Sequence, residues 1–287
     1  MTIPAKSRVL LTGATGVLGA KIAELLIAKN YSVIFASRNT DAAWSLRKTL
    51  VSQYADADIS VQEIDLSSLY SVREFAAMAI GRYDRIDGII NNAQLTLLPQ
   101  RELTADRFEA HLGVNHLGHF ALNGLLSSIM PSGSRIVTVS SPLAKYGNIR
   151  FHDLRQDHGY TPLKAFGTSK LANFFYASEL HQQSLRGNND LLSVVAHPGN
   201  ILSEGNTQSA TTNPLFKKLG HSAAQGAQVI FEAFDNPSVR GGEFFAPDGF
   251  QQLLGAPSIH ALPKYARNDK VQQRLWRLSG QLTRIIW

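Results

Sequence analysis

The stretch RVLLTGATGVLGAKIAELL, residues 8–26, decides the fold. RVLLT (8–12) has the continuous apolar character of a buried strand, and VLGAKIAELLIAK (17–29) has the spacing of a helix. Gly13, Gly16 and Gly19 lie across the junction, with Thr15, Val17 and Leu18 among them. A glycine-rich passage from strand to helix leaves backbone N–H groups bare at a helix N-terminus. A pyrophosphate can then approach without side chains holding it off. The bland alternative is a helix-entry turn that uses glycine for its backbone freedom.

The same alternation continues outward. SVIFAS (32–37), ISVQEI (59–64), IDGIIN (86–91), RIVTVS (135–140), LLSVVA (191–196) and GEFFAP (242–247) read as strands. Helical patterns fall at 42–54, 69–80, 114–129 and 166–183. Near-continuous Val and Ile runs suit parallel strands covered on both faces. The spacing therefore predicts one α/β domain over 1–287, a doubly wound parallel sheet of about seven strands with helices on both faces. Segments 142–162 and 200–221 break the rhythm. Both follow strands, at the edge where open α/β sheets bind ligands, and are expected to be a substrate-side insert and a lid. Loose linkers are the alternative.

Composition narrows the function. The 287 residues contain no Cys, which excludes disulfides, thiolate metal ligands and a thiol nucleophile and is compatible with a reducing cytoplasm. The formal charge of +6 is spread without a dense basic run, so solvated surface charge is expected rather than a nucleic-acid site. The N-terminus runs straight into a strand without a secretory pattern, and no apolar stretch reaches the roughly 18 residues of a bilayer span. A soluble, cytoplasmic protein is the expectation. HLGH (116–119), with His111 nearby, lacks evident further zinc ligands, so no metal is expected and these histidines should be structural or on the surface.

The second strand ends in VIFASRN, where a carboxylate would hold the ribose 2′-OH of NAD(H). Ser37 and Arg38 stand there instead, and a guanidinium suits the 2′-phosphate of NADP(H). Asp65, after the third strand, can accept from an adenine amino group or cap the next helix.

Together with NNAQ (91–94), Ser140-Ser141, an aromatic four residues before Lys170, and HPGNIL (197–202), these motifs make the chain resemble the short-chain dehydrogenase/reductase family, of Rossmann-type fold, over nearly its whole length. FHDL (151–154), SKLANFF (169–175), RLWRLSGQLT (274–283) and the 25-residue step from Ser141 to Phe166 are similar to its retinol-dehydrogenase-like branch. The glycine pattern departs from that branch, with Gly16 one position earlier than usual.

The resemblance implies NADP(H)-dependent interconversion of a secondary alcohol and a carbonyl on an apolar small molecule. It places Asn92 and Ala93 on the adenosine side, beside Asp65 and Leu66, and Pro198, Gly199 and Ile201 at the nicotinamide. Lys170 would hold the nicotinamide ribose and lower the pKa of a tyrosine four residues earlier. Ser141, rather than Ser140, would bind the carbonyl oxygen. Asn115 would kink its helix and support a water in the proton relay. A homodimer or homo-oligomer packed through the long helices near FFY (174–176) is implied as well, though core packing explains those rings equally.

One position breaks the pattern. Phe166 stands where the tyrosine is expected, and a phenyl ring has no proton to give. Three explanations stay open. The residue is an introduced change that keeps the ring and traps substrate; Tyr146, His158 or Tyr160 supplies the proton; or the site has lost redox chemistry and binds NADP(H) as a sensor or runs a non-redox step such as a cyclisation.

Overall fold

The computed structural model describes residues 6–187, 190–202 and 220–287. Eight strands form one sheet: β1 (Arg8–Thr12), β2 (Ser32–Ser37), β3 (Ile59–Glu63), β4 (Gly88–Asn91), β5 (Arg135–Val139), β6 (Leu192–Ala196), β7 (Phe244–Pro247) and β8 (Pro257–His260). Their order is β3-β2-β1-β4-β5-β6-β7-β8. All pairs are parallel except β7 with β8. The order reverses between β1 and β4, which opens a crevice above their carboxyl ends.

Side-chain alternation along β1 splits the core. Val9 and Leu11 face one layer with Ile22, Leu26, Ile230 and Phe234. Leu10 faces the other with Phe75, Phe120 and Leu122. The first layer is closed by α1 (Val17–Ala28) and α7 (Ala223–Asp235). The second carries α3 (Leu69–Arg82), α5 (His119–Leu126) and α6 (Pro162–Gly187), while α2 (Thr40–Gln53) joins β2 to β3. Thus the predicted doubly wound sheet is present, with one more strand than the seven read from sequence. β8 was missed because it is a short edge strand that opens on a proline and is only partly buried.

Three other readings need correction. The helix expected from residue 114 begins at α4 (Ala110–Leu112) and passes through a π-helical turn, Gly113–Gly118, before α5. Helices α7 and α8 (Asp269–Thr283) were not expected from periodicity. Phe174, Phe175 and Tyr176 are buried within the chain itself. Tyr176 packs on Phe120, Trp276 and Trp287, so α8 and the last residue cover the place where a second copy was expected. Of the expected lid, 200–221, residues 203–219 lie outside the described residues; its ends, Ile201 and His221, form a parallel bridge.

Candidate active site

A single cleft of about 1090 Å³ runs along the carboxyl edge of the sheet. At one end it is lined by Gly13, Thr15, Gly16, Val17, Leu18 and Gly19. Gly13 adopts φ +68°, and a Cβ there would lie 2.7 Å from the Ala93 Cα. A Cβ on Gly19 would lie 2.0 Å from the Gly13 carbonyl oxygen, so the turn closes only with hydrogen at both places. Gly16 differs: its Cβ would meet nothing of the protein nearer than 3.5 Å. The bare space above it faces the cleft, which is the room a dinucleotide pyrophosphate needs. Gly16 caps α1 without a side-chain hydrogen bond, and the first turn of α1 holds no acidic residue. The helix dipole therefore meets the cleft with its N–H groups unspent.

Ser37, Arg38, Asp65, Leu66, Asn92 and Ala93 line the next stretch. Arg38 is exposed and makes no ion pair among the described residues. The Ser37 hydroxyl donates to the Asn39 carbonyl at 3.1 Å. Asp65 accepts from the backbone and hydroxyl of Ser67 at 2.9 and 2.7 Å. It is not the cap of α3; Ser68 is, accepting from Ser71 N–H. The Asn92 amide donates to the carbonyls of Thr12 and Gly13 at 3.1 and 3.0 Å, joining β4 to the glycine turn. These groups fit NADP(H): a hole above Gly16, an open helix N-terminus and an unpaired guanidinium beside β2.

The other end holds Ser141, Phe166, Pro198, Gly199 and Ile201. Gly167 and Gly147 bring the turn after β5 against the backbone of α6, where a Cβ on Gly147 would lie 2.3 Å from the Gly167 carbonyl oxygen. That contact holds the turn that follows Ser141 against α6, and Ser141 and Phe166 both line the cleft. The Ser141 hydroxyl caps a short 3₁₀ turn, accepting from Leu143 N–H at 3.2 Å. Ser140 is buried and donates to the Lys170 carbonyl at 2.8 Å, which leaves Ser141 as the serine with its hydroxyl at the cleft. Lys170 is buried beneath Phe166; its Nζ lies 5.6 Å from the ring centroid and donates to Val139 O at 3.0 Å. Burial brings its pKa down to about 7. Gly199, at φ +81°, donates its N–H to His197 Nδ1 at 3.1 Å.

Asn115 lies in the π-helical turn. Its side chain accepts from Leu95 N–H at 2.7 Å and donates to Leu95 O and Ser169 Oγ at 3.0 and 2.9 Å. The amide thus holds the cleft wall around Leu95 from within the π-helical turn. His111, His116 and His119 are all buried, so the surface alternative fails for each. His111 accepts from Leu98 N–H and pairs with buried Glu109. His116 pairs with Ser279 on α8. His119 joins Thr12 Oγ1 at 2.9 Å and donates from Nδ1 to Asn115 O at 3.2 Å. Among the described residues no cluster of three or more His, Asp or Glu could hold a metal ion.

The three substitute acids do not reach the cleft. Tyr146 and His158 line a separate hollow of about 150 Å³. Tyr160 gives its hydroxyl to Leu98 O at 2.8 Å, and burial, with the charges of Glu109 and Glu102, pushes its pKa up to about 12. Sequence reasoning also missed Thr12, whose Oγ1 receives the N–H groups of Asn92 and Ala93 at 3.0 Å each. Its place at the end of β1, just before Gly13, was the available signal.

Comparisons with known proteins agree with this geometry. The family model for short chain dehydrogenase matches residues 7–153. Mouse retinol dehydrogenase 14 is 34% identical, over 97% of this chain and 86% of that protein, and human retinol dehydrogenase 13 is 34% identical, over 98% and 85%. A solved structure from Mycobacterium paratuberculosis, 32% identical, superposes with a TM-score of 0.83 over 98% of this chain and 94% of that one. A Shigella flexneri short chain dehydrogenase complexed with NADP shares the fold, with a TM-score of 0.65 at 18% identity over 84% and 96%. No helix among the described residues is long and apolar enough to cross a membrane. The glycine turn, the buried Lys170 and this near full-length kinship place the chain in the short-chain dehydrogenase/reductase family, in its retinol-dehydrogenase-like branch.

Proposed function

We propose that the chain is an NADP(H)-dependent oxidoreductase that interconverts a secondary alcohol and a carbonyl on an apolar small molecule. The observation that carries this reading is the continuity of the cleft, from the bare N-terminus of α1 and Arg38 at one end to Ser141 and Phe166 at the other. When bound, the cofactor supplies or accepts a hydride at its nicotinamide ring. Gly13, Gly16 and Gly19 admit its pyrophosphate, Arg38 pairs with a 2′-phosphate, and Pro198, Gly199 and Ile201 border the nicotinamide end. Ser141 orients the carbonyl oxygen, and Leu95, Leu97, Leu103, Val114 and Leu143 give the substrate side an apolar wall. A homodimer in a reducing cytoplasm belongs to the proposal, with its contact away from residues 174–176, which the chain buries itself.

Phe166 supports a second reading, in which the protein binds NADP(H) as a sensor or catalyses a non-redox step such as a cyclisation. One exchange separates the two. With Phe166→Tyr the rate of NADPH oxidation over a panel of apolar ketones and aldehydes should rise about 10²- to 10⁴-fold, the contribution of a positioned acid. If both forms bind NADPH and neither oxidises it, the redox reading fails and the second replaces it.

A further inference from the structure

A carbonyl needs a hydride and a proton, and a preformed iminium ion needs only the hydride. Hydride adds to the C=N carbon, the π pair moves onto nitrogen, and the cation becomes a neutral amine while NADPH becomes NADP⁺. The balance closes without an acid. A site that keeps its hydride-transfer frame yet carries phenyl in place of phenol is suited to that acceptor.

The substrate half of the cleft has a second feature that points the same way. Among the described lining residues only Arg38, Asp65 and Glu102 are ionisable, and the first two belong to the adenosine end. Glu102, which is exposed and precedes Leu103 on the cleft wall, is the remaining ionisable group among the described lining residues. Its backbone is fixed by Ala110 N–H, which donates to Glu102 O at 3.0 Å, next to the antiparallel bridge Leu103–Glu109. Its carboxylate makes no hydrogen bond or ion pair among the described residues. The neighbouring Arg101, a natural partner, is turned away to Asp157 and to Arg155 O.

We infer that the substrate side of this cleft binds a flat organic cation of the iminium class, with Glu102 as counter-charge and the Phe166 ring and leucines as the apolar bed. This rests on the reading of the cleft as a hydride-transfer site. An aromatic face attracts cations, and a carboxylate at the rim of an apolar pocket selects for them over neutral isosteres. An opposing charge among the described residues is Lys170, buried with its Nζ 5.6 Å from the Phe166 ring centroid. Its burial-lowered pKa of about 7 means that it sheds that charge just above neutrality.

The test uses the full chain at pH 8.5, with N-methyl-3,4-dihydroisoquinolinium, permanently cationic, against 1-tetralone, its neutral carbonyl counterpart. Calorimetry measures binding of NADPH alone, then of each probe with and without NADP⁺. The cation should bind more tightly than the ketone. Glu102→Gln should weaken the cation roughly three- to tenfold, as expected for a partly exposed charge pair, and leave the ketone unchanged. NADPH oxidation with the cation should exceed that with the ketone by at least about 100-fold, and Phe166→Tyr should narrow the gap. If NADPH binds but the cation binds no better than the ketone, or Glu102→Gln leaves its affinity unchanged, this inference falls alone. If NADPH does not bind, the hydride-transfer reading falls and takes the inference with it.

Discussion

Lys170 is the costliest single residue in the site. Burial lowers its pKa from 10.5 to about 7. Between those values the unfolded chain still holds a proton that the folded one has released, so stability rises with pH across the window. A Lys170→Met variant should therefore gain most over the parent at or below pH 7, by on the order of several kcal/mol, and the gain should shrink toward pH 10. Paired thermal melts at pH 6.5, 8 and 9.5 measure it; a gap that does not change with pH would contradict the assignment. The three glycines were legible from their place between a strand and a helix, and Lys170 and Ser141 through the family resemblance that their motifs carry. His119 and Thr12 were not. Their link spans 107 residues, and no local pattern announces that a histidine on α5 will meet a hydroxyl at the end of β1.

Helix α8 sets the limit of legibility among the elements. Its sequence, DKVQQRLWRLSGQLT, is amphipathic but polar on average. Of its buried residues Gln272, Leu275, Ser279 and Thr283, all but the leucine are polar, so its burial depends on partners far away in the chain. His116 to Ser279, Glu179 to Gln272 and the Thr283 carbonyl to Arg73 tie it down, while Trp276 stacks on Tyr176 at an interplanar angle of 12°. Helix α7 was within reach, because Ser222 and Gln225 form a capping box ahead of a strongly amphipathic run. A chain ending at Arg267 should expose Tyr176 and Phe120, raise apolar-dye binding and shift to larger species on gel filtration. A truncated chain that keeps the parent's elution volume and stability would show that α8 contributes nothing to the core. Strands β1 to β7 needed no such help, since apolar runs buried on both faces identify themselves, whereas the partly buried edge strand β8 did not.

On the scale of the molecule, three histidines make folding sensitive to acid. Burial lowers the pKa of His116 to about 3 and of His119 and His197 to about 4, from 6.5. Between pH 6.5 and 4 the unfolded chain takes up protons that the native chain refuses, so stability falls as pH drops through that range. Each histidine contributes up to about 1.4 kcal/mol per pH unit. Urea denaturation at pH 7.5, 6 and 5 should show a steep decline, and flat midpoints would contradict it. The doubly wound architecture that buries these groups also makes the cleft, because the strand order reverses between β1 and β4. The most direct measurement is a calorimetric titration of the intact protein with NADPH and with NADH. We predict that NADPH binds at least about tenfold more tightly and that Arg38→Ala erases the difference, as loss of a charge-assisted phosphate contact requires. No heat with NADPH, or equal affinity for the two dinucleotides, would contradict the account.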